Sequence, residues 1–364
     1  MSVDDVVALR APRPTPVQWM RRNLFTSAAG TIVTVSCCAL VVMLLLPAVR
    51  WLVVDARWSG TTGAACHGIS GACWPFVREH AGQLFYGFYP TTQRWRVNTG
   101  LAIGALLIVL LSRPRFRANL PLASAAIVLC TVCAGLLFSG GYFGLSAVPT
   151  SLWGGFFLTL VVSYCVLTAS LPIGILLGLG RRSHMPLIRT LCSAWVELWR
   201  AVPAVVLLFV AIIMFPLFMP HGLEIDKLLR ALIALTLLMS AYLAEVVRGA
   251  LQGVPAGQID AARALGLSRL QTTGLVVLPQ ALSAALPQIT SQFIGLFKET
   301  TVLLIIGFYD LLGVVQTVVT DPQWLSASTT TTGFVFAAFF FWSCCFAMSR
   351  FSVRLERRRD GAHR

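Results

Sequence analysis

A lysine and a glutamate stand side by side in an apolar stretch, at Lys298 and Glu299, and are followed by Thr300. Ionisable groups inside a membrane span are costly, so each of them is a candidate for function. An α-amino acid carries one carboxylate and one ammonium group, and a Lys–Glu pair in a wet cavity could bind both. A salt bridge to the fifth predicted span or to a partner subunit explains the pair equally well, and the sequence leaves both interpretations open.

Two further pairs of opposite charge lie at helical spacing. Glu197 and Arg200 are three residues apart, close enough to neutralise each other on one helix face. The sequence favours this structural ion pair, near the cytoplasmic end of a span, over contact with a ligand. Glu245 and Arg248 have the same spacing, and we expect them to organise the exit from a span into the following loop.

Residues suited to metal or nucleotide chemistry lack the necessary patterns. The five histidines fall in loops or tails without the paired spacing of metal ligands, so the sequence predicts no metal site. It has no G-x-x-x-x-G-K-S/T phosphate loop, and we expect no enzymatic activity in this chain. Cys66 and Cys73 lie in a polar loop, where a disulfide is possible in an oxidising compartment; two free thiols are the alternative.

The stretches that must position these residues are long and apolar. Hydrophobic residues make up 57% of the 364 and charged residues 12%, with a mean hydropathy of +0.79. The apolar residues form blocks near the ~20 residues that cross a bilayer. This pattern predicts an all-α, polytopic membrane protein with about eight transmembrane helices. The predicted spans are residues 28–54, 98–112, 120–142, 152–179, 190–219, 228–247, 286–309 and 331–349.

The net charge of +14 is carried by arginines that cluster between the apolar blocks. With the N-terminus inside the cell, roughly nineteen basic residues lie on the cytoplasmic side and about six outside, as the positive-inside rule requires. Eight spans then leave both termini in the cytoplasm and the loop 55–97 outside. The sequence lacks the basic-aromatic runs that grip nucleic-acid bases.

The segment between the sixth and seventh predicted spans has the marks of a short helix, a tight turn and a second helix. Pro255 suits the first residue of a helix. Gly266 suits its end, because glycine adopts left-handed φ angles without strain. Ser268 and Gln271 have the spacing of a capping box for the second helix.

The first of these short helices has a small, partly apolar face. Ile259, Ala262 and Leu265 share that face by helical periodicity. Ala261 and Ala262 are small enough to allow close approach of a partner surface. The pattern therefore predicts a projecting helix that docks into a socket, with a helix lying on lipid headgroups as the alternative.

The segment resembles the EAA loop of ABC-importer permeases, in which an acidic-Ala-Ala triplet precedes a glycine and then Ile-x-Leu-Pro. The matching residues here are Asp260, Ala261, Ala262, Gly266 and the Val-Val-Leu-Pro of 276–279, with Asp for the usual Glu and Val for Ile. The flanking stretches 197–203, 245–252 and 298–303 resemble those of polar-amino-acid importers. Residues 51–58, 71–74, 87–90 and 94–97 resemble the long-form permease subunit of general L-amino-acid importers of the glutamate/glutamine/aspartate/asparagine type.

The resemblance implies a type I ABC-importer permease core and a set of partners. Two ATPase subunits would bind ATP and Mg²⁺, since this chain holds no cofactor. A second, related permease would complete the path as a heterodimer, and a periplasmic binding protein would deliver polar L-amino acids. The residues implied to couple to the ATPase are Asp260, Ala261, Ala262, Arg263, Gly266, Leu278 and Pro279. The candidates for the substrate path are Lys298, Glu299, Thr300, Glu197 and Arg200.

The expected organisation follows from these assignments. It comprises a cytoplasmic tail (1–27), three accessory helices with a periplasmic loop (28–145, loop 55–97), the permease core with its coupling loop (146–350, loop 248–285) and a basic cytoplasmic tail (351–364). The expected location is the bacterial inner membrane. A secondary transporter driven by an ion gradient is the alternative, which leaves the segment 260–279 without a role.

Overall fold

The computed structural model describes residues 15–113, 119–142, 144–220, 222 and 224–362. The secondary-structure elements within these ranges are all helical. They are α1 (Pro16–Asn23), α2 (Ala28–Val49), α3 (Trp74–Glu79), α4 (Ala81–Tyr86), α5 (Arg94–Leu111), α6 (Leu120–Ser139), α7 (Gly155–Gly180), α8 (Pro186–Ala201), α9 (Ala204–Phe209), α10 (Lys227–Gln252), α11 (Ala256–Ala264), α12 (Arg269–Gln271), α13 (Leu278–Glu299), α14 (Leu311–Val318) and α15 (Ala327–Ala362). Residues 1–14 and 363–364 of the predicted tails lie outside the described residues.

Within these ranges, seven helical segments are long and apolar enough to cross a membrane, or eight if one bent pair counts as a span. The seven are Ala28–Val54, Thr91–Leu111, Pro121–Ser139, Gly155–Gly180, Lys227–Gln252, Arg269–Ile306 and Ala327–Arg354. The predicted all-α, multi-span architecture is therefore confirmed. The first span leaves most of its circumference exposed, and so available to lipid or to another subunit. At its last turn, the carbonyls of Trp51 and Leu52 accept hydrogen bonds of 2.9 and 3.0 Å from the amide of Ala72 and the indole of Trp74.

The fifth predicted span, 190–219, is not one straight helix. It consists of Pro186–Ala201 and Ala204–Phe218, which meet at an angle of 98°. The break falls at Val202, whose φ of −101° and ψ of 131° are extended. Pro203 follows it, and proline disfavours the helical conformation of the residue before it.

The seventh predicted span, 286–309, begins much earlier than the hydropathy indicated. A π-helical turn (Thr272–Val277) joins α12 to α13 without a break, so the helical segment runs from Arg269 to Ile306. Pro279 lies directly after the π-helical turn, as the second residue of α13, and does not interrupt the segment. The predicted loop 248–285 is consequently helical over most of its length.

Helices α7 and α10 form the centre of the fold through small residues spaced by four. Ser170 is fully buried, and Gly174 and Gly178 follow it on the same face of α7. A Cβ atom at Gly174 would lie 2.7 Å from Cβ of Leu243 on α10. Small residues at this spacing let two membrane helices approach closely.

The loop 55–97 carries α3 and α4 and packs against the C-terminal helices. The structure joins Cys66 and Cys73 in a disulfide. The amide of Cys73 donates a hydrogen bond of 2.9 Å to Oγ1 of Thr332, near the start of α15. Phe76 and Trp324 share a buried cluster with the disulfide. The loop is thereby fixed to the end of α15 that lies away from α11.

Three distant segments cross where α4 ends and α7 begins. Isolated bridges pair Gly87 with Trp153 and Gly155 with Asp310. A Cβ atom at Gly87, whose φ is 63°, would lie 2.3 Å from the Cα atom of Gly154. Asp310 is fully buried at this crossing; burial raises the pKa of its carboxyl to about 6.

Candidate functional site

The segment between α10 and α13 has the predicted arrangement of a short helix, a turn and a second helix. Pro255 lies one residue before the first helical residue of α11 rather than within it. Gly266 follows α11 with a left-handed φ of 79°. Ser268 and Gln271 form the capping box of α12, with hydrogen bonds of 2.9 and 3.3 Å.

The predicted docking face of α11 is divided by the tertiary structure. Ala262 is 3% exposed and Ile259 packs on a cluster formed by α10 and α13. Leu265, by contrast, is 82% exposed. The three residues therefore do not form one free face, and Ala262 serves to seat α11 on its own chain.

The surface left free is centred on the end of α11 and the following turn. Asp260, Ala261, Arg263 and Gly266 are exposed there. Leu265 adds a large apolar side chain, and Leu270 on α12 is 86% exposed. Apolar side chains this exposed at the tip of a projection are typical of a protein contact.

A cleft of about 1090 Å³ opens beside this projection, and we call it the polar cleft after the glutamines and charged residues in its otherwise largely apolar lining. One wall is the face of α10 that carries Tyr242, Glu245 and Gly249, and the other belongs to α13. Gln258 of α11 closes its end, where it accepts a hydrogen bond of 3.3 Å from Nε2 of Gln280. The cleft and the projecting helix thus share one structural support.

Glu245 is the centre of the charges in the cleft. Its carboxylate lies 2.5 Å from Nη1 of Arg181 and 3.9 Å from Nη1 of Arg200, and it also binds Arg248. Glu197 instead lies 3.9 Å from Nη2 of Arg181. The predicted pairing of Glu197 with Arg200 is therefore wrong, because the neighbouring helices α7 and α10 offer each of them another partner.

Arg200 faces the cleft while it is held by two groups of α10. Its guanidinium carbon lies 5.6 Å from the ring centroid of Tyr242, close enough for a cation–π interaction. Arg200 and Glu245 are the charged residues among the described lining of the cleft. Because Glu245 is shared with Arg181 and Arg248, the guanidinium of Arg200 is incompletely neutralised. Such a guanidinium suits a ligand that carries a carboxylate.

The sequence analysis missed a polar stripe along α13. Gln280, Gln288 and Gln292 line the cleft together with Ser283. The signal was available, since glutamines at intervals of four and eight residues share a helix face. The predicted loop boundary at residue 285 concealed it by dividing the stripe between a loop and a span.

Lys298, Glu299 and Thr300 lie elsewhere and are not part of the cleft lining. Lys298 is eighteen residues beyond Gln280, or about 27 Å along the helix, near the end of the span at Ile306. Lys298 and Glu299 are exposed, and no ion pair engages either in the described part of the chain. Thr300 is fully buried and donates to the carbonyl of Phe297, so it contacts no open path.

Comparison with known proteins identifies relatives that are similar over nearly the whole chain. The sequence model described as "Binding-protein-dependent transport system inner membrane component" matches residues 170–361. The chain is 44% identical to the inner membrane amino-acid ABC transporter permease protein YhdY of Escherichia coli (strain K12), covering 97% of both. It is 34% identical to the glutamate/glutamine/aspartate/asparagine transport system permease protein BztC of Rhodobacter capsulatus, again covering 97% of both. A solved amino acid ABC transporter is 27% identical over 56% of this chain and 92% of that one, with a TM-score of 0.49.

Proposed function

The chain belongs to the family of binding-protein-dependent transport system inner membrane components, and from this premise we propose how it works. It is a multi-pass inner-membrane permease subunit of an amino-acid ABC transporter, and it is not itself an enzyme. Membership leaves the ion-gradient alternative without support. We propose that the chain carries polar L-amino acids, the class named for BztC.

We propose that α11 and the turn after it are the contact with the ATPase. Asp260, Ala261, Arg263 and Gly266 would contribute with the exposed Leu265 and Leu270. Ala262, Leu278 and Pro279 would contribute without contacting the ATPase, by holding α11 against α10 and α13. The observation that carries this proposal is an exposed apolar tip on a helix that is firmly seated at its base.

Replacement of Leu265 by aspartate tests the contact. Leu265→Asp should abolish co-purification of the ATPase, because it places a carboxylate at the apolar tip without touching the buried base. Leu325→Asp is the matched control, since Leu325 is exposed at the opposite end of the molecule. Equal retention of the ATPase by both variants would refute the contact.

We further propose that the polar cleft is the inner part of the amino-acid path. Arg200 would bind the substrate carboxylate while the glutamines of α13 bind its other polar groups. The open side of the cleft would be closed by a second, related permease in a heterodimer. Two ATPase subunits with ATP and Mg²⁺, and a periplasmic binding protein, would complete the assembly.

Lys298 and Glu299 remain candidates for the outer part of the same path. Their exposure at the far end of α13 supports that role, whereas Thr300 would only support the helix. Transport by Lys298→Ala and Glu299→Ala variants in an intact assembly is the test. If both keep normal selectivity and apparent affinity, neither residue contacts the substrate.

The proposed orientation places both termini and α11 in the cytoplasm, and the cleft opens on the cytoplasmic side of the membrane. The loop 55–97 with its disulfide then lies in the oxidising periplasm, as part of an accessory region (28–145) beside the core (146–350). The tails 1–27 and 351–364 and the coupling loop 248–285 would be cytoplasmic. Labelling of single cysteines on either side of the membrane tests this arrangement.

A further inference from the structure

A second groove, of about 630 Å³, lies on the other side of α11 from the polar cleft. It is formed by the turn between α7 and α8, by α11, and by the start of the helical segment at Arg269. We call it the basic groove, after Arg182, Arg263 and Arg269, which line it together with Ser183, Thr272 and Thr273. Arg263 and Leu270 also belong to the ATPase contact proposed above, whereas the other residues of the groove have no role in that proposal.

The charged side chains that line the basic groove in the described residues are all positive. None of the described residues that line it is an aspartate or a glutamate. No ion pair engages Arg182, Arg263 or Arg269 in the described ranges. Arg182 is oriented by donation to the carbonyl of Leu251. Three guanidinium groups without a carboxylate partner favour an anionic ligand, and phosphate is one of the two anionic groups, with carboxylate, that arginine binds through paired hydrogen bonds.

The position of the groove identifies the source of that phosphate. The span Gly155–Gly180 ends at the groove, and the segment Arg269–Ile306 begins there. Met185, Ile188 and Leu270 add apolar surface beside the arginines. A site with basic groups at the ends of two spans and apolar walls fits a lipid whose headgroup is charged and whose chains lie in the bilayer.

We propose that the basic groove binds the phosphate headgroup of an anionic phospholipid from the cytoplasmic leaflet. The assignment to the cytoplasmic leaflet depends on the orientation proposed above, whereas the binding of the headgroup is argued from the residues of the groove alone. Because α11 forms one wall through Ile259 and Arg263, a bound lipid would brace the helix that contacts the ATPase. A carboxylate-rich surface of the ATPase is the competing occupant. The lipid is favoured because two candidate spans end at the groove and apolar side chains lie beside its arginines.

The test is native mass spectrometry of the purified full-length chain, titrated with dioleoyl phosphatidylglycerol and, separately, with dioleoyl phosphatidylcholine. Each basic residue near an anionic lipid surface contributes about fivefold to binding. The triple variant Arg182→Gln/Arg263→Gln/Arg269→Gln should therefore bind phosphatidylglycerol roughly a hundredfold more weakly. Its binding of phosphatidylcholine should not change.

The matched control carries the same loss of charge outside the groove, at Arg22, Arg350 and Arg354. It should weaken phosphatidylglycerol binding clearly less than the groove variant does, because these three arginines do not line one common site. If the triple variant does not fold, the double variant with Arg182 intact should still lose roughly 25-fold. Retention of affinity by the groove variants, or equal losses in groove and control variants, would overturn the proposal.

Co-purification of the ATPase with the double variant Arg182→Gln/Arg269→Gln, which leaves Arg263 of the proposed ATPase contact intact, separates the lipid from its competitor. Loss of the ATPase with unchanged affinity for phosphatidylglycerol would identify the groove as a protein contact and overturn the lipid site. Wild-type chain that retains the ATPase but shows no preference for phosphatidylglycerol would also overturn it, while leaving the proposed function intact. Specific lipid binding without any ATPase would support the groove and refute the proposed coupling.

Discussion

Asp310 allows a prediction in which the sign and size of a pH effect follow from the structure. Its Oδ1 accepts a hydrogen bond of 2.9 Å from the amide of Gly313, and Oδ2 has no partner in the described part of the structure. Burial raises the pKa of the carboxyl from 3.8 to about 6, with the backbone hydrogen bonds acting in the opposite direction. Protonation of Asp310 therefore stabilises the folded state.

The sign follows from this raised pKa. The stabilisation is fully present below the unfolded pKa of 3.8 and is lost as the pH rises through about 6. A difference of about two pKa units corresponds to about 3 kcal/mol of unfolding free energy. Because the side chain is fully buried, we apply no reduction for solvent screening. Most of the change should fall between pH 4 and 6.

The variant Asp310→Asn isolates this effect. Asparagine is nearly isosteric, can still cap α14 through its carbonyl oxygen, and does not titrate. Equilibrium unfolding in mixed micelles, followed by tryptophan fluorescence, gives the stability of both proteins against pH. His80 and Asp321, which lie 3.7 Å apart nearby, are the same in both proteins, so subtraction of the two curves leaves only the contribution of residue 310.

The difference curve is the decisive quantity. Relative to the variant, the wild type should lose about 3 kcal/mol between low and neutral pH. A flat difference curve would show that Asp310 is ionised without cost, and a curve of opposite slope would show a lowered pKa. Either result would refute the argument from burial. Asp310→Ala serves as a further control, because it should also be free of the slope but lose about 1 kcal/mol of capping energy.

Three other predictions concern packing, charge and covalent structure. Gly174→Val should cost about 1–3 kcal/mol of unfolding free energy in the same assay, since it forces α7 away from Leu243; an unchanged value would contradict the close approach. Glu245→Gln should strongly reduce transport in the intact assembly, because three arginines lose their shared carboxylate; normal transport would exclude that role. Replacement of both Cys66 and Cys73 by serine should cost about 2.5 kcal/mol, as expected for a closed loop of eight residues, and equal stability of the variant and the oxidised wild type would argue against the bond.

The sequence by itself determined the features that depend on neighbours a few residues away. Apolar block length identified the spans, and the spacing of Ser268 and Gln271 identified a capping box that the structure contains. Gly266 was recognisable as a helix end because only glycine reaches its φ without strain. The family could also be read from such local spacing, since the residues of the EAA segment are nearly contiguous.

Only the tertiary structure decided which helix faces are buried and which charges meet. Ala262 turns inward and Leu265 outward, because α10 and α13 cover one side of α11. Glu245, rather than Glu197, receives Arg200, because α8 bends away from α9 and lies against α10. The glutamines of α13 form one wall of a cleft for a similar reason, since the opposite wall is about forty residues earlier in the sequence. Contacts of this kind depend on how helices pack in space, which hydropathy and local spacing do not specify.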